Sequence, residues 1–594
     1  MREALRAYRM TMAIGFRAAP WRATFQLVTG MVMALVPVVL AYGAKLVVDA
    51  AMEHDPALAL WAAGLLAGVV AVSLVNVFYY CDCVFGVIER AQAYAERRLM
   101  VLLGGVDGLA HHERPEYLDQ VQRIREESRS LGTMVNATAG MVRSLVSLAA
   151  TGVLLGRVHP ALLALPLVSV VSIVIGRRAR DLDVTAQEVT TEPERLRRHL
   201  FDVATSASAG KELRVFGLTG ELRARHDEVA GRVVAERNRA TWRGAVLGAV
   251  DALVVAAAYV AAIAFVLLLA VRGHAGPGDV VLAIGLAAQL TWIVSTAVSY
   301  GTSLMHVLKL ARRLVWLEDY AEAEAYVPAR PAPVPNRLRE GIEVRDVSFG
   351  YPDTGGKVLD RLSLRLPAGK VVALVGENGA GKTTLVKMLC DFYRPDAGQI
   401  LVDGTPLADF PVEEWRSRLS AAFQDHVPFE FTAREAVGVA DLRRVDDDAA
   451  VLAGLERAGA SGVLTALPNG LDTQLGKSWD GGVDLSGGQW QRLALGRGLM
   501  RTDPLLVVFD EPTAALDPQT EHAMFERFAA AARSGARQGT VTLLVSHRFS
   551  TVRMADLIVV LSRGRVLEQG SHAELMEHGG LYAELYDLQS RAYR

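Results

Sequence analysis

Gly376-Glu377-Asn378-Gly379-Ala380-Gly381-Lys382-Thr383-Thr384 is the stretch whose reading decides the rest of the chain. The apolar run before it, Val371 to Val375, predicts a buried strand, and Leu385 to Cys390 continue it at helical spacing. Strand, glycine-rich turn and helix N-terminus together make a phosphate cradle. Backbone N–H groups point inward, the helix dipole favours anionic oxygens, and glycine lets the backbone approach closely. In such a cradle Lys382 reaches the β- and γ-phosphates and Thr383 holds Mg²⁺. A long, glycine-rich chain also produces the bare pattern by chance, as a turn with an idle lysine. The surrounding sequence has to decide.

At 594 residues the chain is too long for one core. A mean hydropathy of +0.23 is high for a water-soluble protein, yet 22% of the residues are charged, so the apolar content must be unevenly placed. The net charge of −2 gives no support for a nucleic-acid partner. Cys81 and Cys83, two residues apart in an apolar stretch, have no further Cys or His partners nearby in sequence and read as small buried hydrophobes, and with Cys390 the only other cysteine no disulfide framework is implied.

The first half is patterned for a membrane. Residues 1–22 mix arginines with apolar residues, as an interfacial helix does. Six apolar segments of spanning length follow, at about 24–47, 59–85, 134–156, 160–176, 246–271 and 280–304. The loop after the first carries no Lys or Arg, whereas the connectors holding Arg90 to Arg125 and Arg177 to Arg239 are arginine-rich. Positive-inside counting therefore puts both termini in the cytoplasm of a multi-pass protein of the cytoplasmic membrane, with two long cytoplasmic excursions. Lys45, Asp82, Arg143 and Asp251 fall within or at the ends of the spans, where facing lipid is costly. All four could face a central cavity, snorkelling accounts equally well for Lys45 and Arg143, and Asp251 is the best cavity candidate.

Residues 321–340 carry Pro328, Pro331, Pro333 and Pro335 and predict an extended linker. The expected layout is thus a membrane domain over 1–320, a linker over 321–340, and a soluble α/β domain over 341–594. In that last part Tyr351 is an aromatic ring able to stack on a base, or an ordinary strand-end tyrosine. Gln424 offers an amide oxygen to a metal or its water. Leu485-Ser486-Gly487-Gly488-Gln489 sets a hydroxyl and two glycines before a helix, a second anion-binding N-terminus. Leu505 to Phe509 predicts a strand delivering Asp510, which suits Mg²⁺, and Glu511, which suits a base or water-positioning role at a γ-phosphate. Asp517 and His547 follow, the latter just after the strand Val541 to Val545.

Taken in order and spacing, GENGAGKTT, Gln424, LSGGQ, LLVVFDE, AALD and His547 resemble an ATP-binding cassette, and with six spans before it the chain resembles a bacterial ABC exporter half-transporter. The resemblance implies a six-span α-helical membrane domain fused to an α/β P-loop nucleotide-binding domain, with ATP and Mg²⁺ as cofactors. It implies Tyr351 on adenine, residues 376–384 on the phosphates, and Thr383, Gln424 and Asp510 on Mg²⁺. Glu511 and His547 are implied as catalytic. Ser486, Gly487, Gly488, Gln489 and Asp517 would serve the nucleotide of a second subunit, since cassettes of this family bind two ATP head to tail. A homodimer is expected, and a heterodimer with another half-transporter is the alternative.

Two departures stand out: Lys477 where an acidic residue is common, and Trp490 where a basic one is usual. With residues 112–119 and 211–217 they resemble the lantibiotic and modified-peptide exporter branch. The expected cargo is therefore a peptide or amphiphile, with multidrug or lipid efflux as the alternative. An ATP-binding membrane sensor or immunity factor is less favoured, because the catalytic positions are intact. A soluble cassette acting on ribosomes or DNA is argued against by the spans.

Overall fold

The computed structural model describes residues 2–206, 209–352, 355–511, 539–546 and 548–592, so Asp517 and His547 lie outside the described residues. The chain separates into two compact units, Met1–Met100 with Gln122–Leu317, and Val101–Val121 with Glu318–Arg594. This division differs from a simple cut near residue 320. A short piece of the first cytoplasmic excursion belongs with the α/β part.

The first unit is helical. Five described helices are long and apolar enough to cross a membrane: Pro20–Met52, Pro56–Gly104, Met134–Val158, Thr219–Val271 and Pro277–Ala323. The remaining expected span falls on the helix Leu165–Val189, in which the side chains of 166, 167, 169 and 170 are not described. The first span is bent at Ala34 and Leu35, between Pro20–Met33 and Val36–Met52. Pro37 causes the bend, because it has no N–H to donate back into the preceding turn. The third and fourth spans separate at His159, whose Nδ1 accepts from the Ala161 N–H at 3.1 Å before a short turn over Pro160–Ala164. Helices of 49 and 53 residues run well past the apolar segments, as the arginine-rich connectors require.

Charges inside this unit are mostly matched. Arg22 pairs with Asp82 at 3.3 Å, and Lys45 pairs with Asp279 and lies 4.0 Å from Asp49. Arg143 donates to the Tyr300 hydroxyl at 3.1 Å with its guanidinium over that ring. Lys45 and Arg143 are thus held by partners, which replaces snorkelling as their explanation. Cys83 and Cys390 are buried as expected, but Cys81 is exposed. It lies on Pro56–Gly104, whose apolar stretch is only 6% buried within the chain and is available to lipid.

The second unit carries two sheets. The strands are β1 (Gly341–Phe349), β2 (Leu359–Pro367), β3 (Val371–Val375), β4 (Ala397–Val402), β5 (Thr405–Pro406), β6 (Leu419–Ala422), β7 (Leu506–Asp510), β8 (Val541–Val545), β9 (Leu557–Ser562) and β10 (Arg565–Gly570). An antiparallel sheet runs β2-β1-β4-β5, and the larger sheet runs β10-β9-β3-β8-β7-β6. Strands β6, β7, β8, β3 and β9 are mutually parallel, so their carboxyl ends share one edge. That edge is where an open α/β sheet places its ligand. Apolar residues of both sheets and of the helix Lys382–Leu389 form one core, including Val344, Leu364, Leu374 and Leu385. A second core lies under the helices Ala433–Gly438, Asp448–Arg457 and Gly487–Gly498.

The proline segment is bound to this unit. Ala332 N–H donates to Asp409 O at 2.9 Å, Arg418 donates to Asn336 O at 2.6 Å, and Leu338 is buried. Residues 101–121 dock in the same way. Leu109 N–H donates to Phe392 O at 3.1 Å, Arg416 to Asp107 O at 2.6 Å, and the Tyr393 hydroxyl to Glu113 Oε1 at 2.5 Å. His111 is 2% exposed, packed on Tyr117 and beside His112. Burial, reinforced by the charge of His112, pushes its pKa down to about 4. An undocked His111 takes up a proton near its ordinary 6.5, whereas the docked one does not. Docking is therefore strongest above pH 6.5 and weakens as pH falls from 6.5 towards 4. At pH 5 the loss is about 2 kcal/mol. Hydrogen exchange over residues 105–121 is expected to accelerate between pH 7 and pH 5, and His111→Gln is expected to flatten that dependence after correction for intrinsic exchange. An unaltered pH dependence in the variant would remove His111 as its cause.

Candidate functional site

The phosphate loop leaves β3 at Gly376, where φ is +155° and a Cβ would stand 2.3 Å from Leu561 O. At Gly381 φ is +100°, and a Cβ would stand 2.6 Å from Leu359 Cδ2. Both positions exclude any side chain, by conformation and by space. The loop Gly376 to Gly381 then enters the helix Lys382–Leu389, with Lys382 and Thr384 buried and Glu377, Asn378, Gly379 and Thr383 exposed. Lys382 Nζ donates to Gly376 O at 2.8 Å and Glu377 O at 3.0 Å, so the loop closes around the ammonium. Burial lowers the Lys382 pKa, against the pull of Glu511 and Asp510. An arriving polyphosphate would offer the ammonium stronger, charge-assisted partners than two carbonyls.

Asp510 ends β7 and is 2% exposed. Burial pushes its pKa up to about 6, with the neighbouring Glu511 adding to the rise, while Thr383 as hydrogen-bond partner and Lys382 oppose it. Its Oδ1 is buried with no hydrogen-bond partner among the described residues. A buried carboxylate oxygen left open beside a hydroxyl fits a hard divalent cation. Among the described residues no group of three or more His, Cys, Asp or Glu side chains could hold a metal. Bound at Asp510, Mg²⁺ would draw charge off the phosphate oxygens during transfer.

Glu511 has φ +49°, in the left-handed region, while its N–H donates to Val545 O at 3.0 Å. A non-glycine residue held there marks a side chain turned out of its strand direction, a feature that clusters at functional sites. Gln424 is exposed in the segment after β6, at the same carboxyl edge. Ser546, buried, follows β8. His547 and Asp517 lie outside the described residues.

Tyr351 is half-buried, its hydroxyl 3.1 Å from Thr384 Oγ1 and its ring edge-on to Phe349 and Tyr393. The Lys387 ammonium sits 5.4 Å from the Tyr351 ring centre, 5.6 Å from that of Tyr393 and 3.8 Å from Glu113. A physical line thus joins the base-stacking candidate to residues 101–121. Tyr393 and Lys387 were not singled out from sequence, and only their contacts reveal them. Asp425 was also missed: its charge raises the Asp510 pKa, which places it at the site. Adjacency to Gln424 was the available signal.

Ser486 caps the helix Gly487–Gly498 in a reciprocal box. Its Oγ accepts from Gln489 N–H at 3.4 Å, and Gln489 Oε1 accepts from Ser486 N–H at 2.8 Å. Ser486 and Gly487 are exposed. Lys477 pairs with Asp484 at 2.6 Å, holding the Asp484 carboxyl below its ordinary range. The unusual lysine therefore ties down the segment leading into this cap. Trp490 packs on the core beneath the helix.

Membrane-length helices joined to a nucleotide-binding cassette, with the phosphate loop, acidic strand end and capped glycine helix assembled as above, define an ATP-powered membrane transporter of the exporter type. The ABC transporter family profile matches residues 359–514. A protein of Bordetella pertussis described as an ATP-dependent lipid A-core flippase is 34% identical over 450 residues, covering 75% of this chain and 70% of the relative. One of the same description from Chromobacterium violaceum is 32% identical over 431 residues, covering 72% and 70%. One from Aromatoleum aromaticum is 37% identical over 331 residues, and there the chain spans only about half of the relative, 53%. A solved bacterial Atm1-family ABC exporter with ATP bound superposes with a TM-score of 0.75 at 25% identity, covering 96% of this chain and 99% of that one. The chain belongs to the ABC transporter family. The three sequence relatives are described as lipid A-core flippases, so the lantibiotic branch expected from Lys477, Trp490 and residues 112–119 and 211–217 finds no support.

Asp510→Asn keeps the shape and removes the buried charge. It is expected to stabilise the nucleotide-free protein at pH 7.5 by about 1–3 kcal/mol, read as a higher melting midpoint, while Mg²⁺-dependent ATP hydrolysis is lost. A lower midpoint would show that the charge is not being held at a cost.

Proposed function

We propose that this protein hydrolyses ATP, with Mg²⁺, to move a lipid-like amphiphile across the cytoplasmic membrane by alternating access. The observation that carries the ATP part is Lys382, enclosed by loop carbonyls beside the half-satisfied Asp510. The lipid part rests on the flippase relatives. It takes the place of the peptide reading, which had only the resemblance carried by Lys477, Trp490 and two short segments.

In this reading residues 376–384 hold the phosphates, Tyr351 stacks on adenine, and Thr383, Gln424 and Asp510 hold Mg²⁺. Glu511 positions or deprotonates the attacking water, and His547 contacts the γ-phosphate. The edge of exposed Ser486 and Gly487 and half-buried Gly488 and Gln489, with Asp517, completes the site of a second copy, so two chains are needed. A homodimer is the simplest assembly, both termini lying in the cytoplasm. Val215 and Phe216 of the second excursion are exposed apolar residues, as a docking turn requires. The cargo shifts the equilibrium only by binding the two states unequally.

Glu511→Gln is expected to lower the hydrolysis rate by about 10²–10⁴-fold while retaining ATP binding and favouring the closed dimer. A wild-type rate would take Glu511 out of its role. Reconstituted vesicles carrying fluorescent lipids, or peptides in parallel, test the cargo. ATP-dependent lipid movement absent in Glu511→Gln is the expected outcome, and accumulation of peptides alone would reinstate the peptide reading.

A further inference from the structure

Within the helical unit, a cavity of about 490 Å³ lies between the helices Leu165–Val189, Thr219–Val271 and Pro277–Ala323. Each helix turns one face to it. Ser172 and Arg180 come from the first, Asp251, Val255 and Tyr259 from the second, and Ser295, Ser299, Thr302 and Ser303 from the third. The spacing is helical: Gly176 lies between Ser172 and Arg180 at four residues from each, Asp251, Val255 and Tyr259 are four apart, and Ser295, Ser299 and Ser303 are four apart.

The cavity is graded along its length. Gly244 faces Ala179, since a Cβ built on Gly244 would stand 4.0 Å from that of Ala179. Chain direction reverses between these two helices, and each residue rises about 1.5 Å, so Asp251 lies about 10 Å deeper than Arg180, near the level of Ser172. Above that level the lining turns apolar, with Leu165, Val168, Val255 and Leu290. The end at Arg180, Thr302 and Ser303 is therefore polar, the end beyond Asp251 is mainly apolar and includes the Tyr259 ring, and Asp251 sits at the change.

Two polar atoms at that level are buried without a partner among the described residues, Asp251 Oδ1 and Ser172 Oγ. Arg180 lines the same cavity but does not satisfy Asp251; its Nη1 donates to Thr302 Oγ1 at 3.3 Å. Lys45, Asp82 and Arg143, the other span charges singled out in the sequence, all have partners. A carboxylate set in a span and left open is costly, and such a residue points to a ligand that answers it.

We infer that this cavity binds an amphiphile bearing an ammonium group, with the ammonium on Asp251, Ser172 beside it, and the apolar chain running into the depth. This rests on the lipid reading above and sharpens it: the feature read is a cationic nitrogen at the junction of head and tail. A head rich only in phosphate would leave Asp251 unanswered.

The test uses the full chain in nanodiscs, without ATP, and a photoactivatable octadecylamine beside its N-acetyl derivative. The amine is expected to label the three helices about tenfold more efficiently than the acetamide, the factor of a charge-assisted hydrogen bond. That ratio should fall to about one in Asp251→Asn and recover in Asp251→Glu. Because the ratio is internal to each variant, a change in yield does not imitate it. Competition by unlabelled octadecylamine on the wild type gives the same answer should a variant fail to fold. A ratio near one in the wild type, an unchanged ratio in Asp251→Asn, or label confined to other helices would overturn the inference. Labelling needs no ATP, so absent lipid movement with the ratio intact counts against the transport reading alone. ATP-driven lipid movement with no preference counts against this site alone.

Discussion

A charge taken out of water has to be answered, and most of this molecule's specific features follow from how that is done. In the membrane-length helices the answer is usually another charge or an aromatic hydroxyl: Arg22 with Asp82, Lys45 with Asp279, Arg143 with Tyr300. In the cassette the answer is provisional. Lys382 is enclosed by two loop carbonyls, and Asp510 keeps one oxygen open. Neutral carbonyls are weak partners for an ammonium, and a buried carboxylate near its own neutralisation point is poorly held. Both arrangements improve when a polyphosphate and a divalent cation arrive.

The sheet is what brings those charges together. Strands β3 and β7 are separated only by β8, and all three are parallel, so the loop after β3 and the acid pair after β7 emerge on one edge. Parallel pairing also explains why these strands read as continuous apolar runs in the sequence, since both of their faces are covered. The antiparallel sheet β2-β1-β4-β5 gives the cradle its flank: Leu359 of β2 presses on Gly381, and Tyr351 follows the end of β1. Closeness of backbone to ligand is thereby fixed by packing far from the ligand.

Much of this was legible in the chain, because local patterns carry it. The glycine loop, the strand ending in Asp510 and Glu511, the Ser486 cap and the apolar segments each fit within a few turns of sequence. The bend at Pro37 is equally local and follows from proline chemistry. What stayed hidden depends on long-range contact. Nothing in residues 101–121 announces that Glu113 meets Tyr393, or that His111 is buried on Tyr117. Asp425 became a site residue only through its effect on Asp510. The peptide-exporter expectation failed for a related reason: short surface segments such as 211–217 record how helices turn, and cargo is read elsewhere.

That separation between engine and cargo has a structural counterpart. The line from Tyr351 through Tyr393 and Lys387 to Glu113 is built from ring edges, an ammonium over two rings and one short hydrogen bond. Every member of that line is side chain, and its first member stands beside the phosphate loop through Thr384. A base stacked on Tyr351 would compete with Lys387 for the ring face, and Lys387 would then lean further on Glu113. Nucleotide occupancy would in this way be felt at the excursion before any phosphate chemistry occurs. On the roles proposed for Tyr351 and Glu511, binding and hydrolysis would then act as separate strokes.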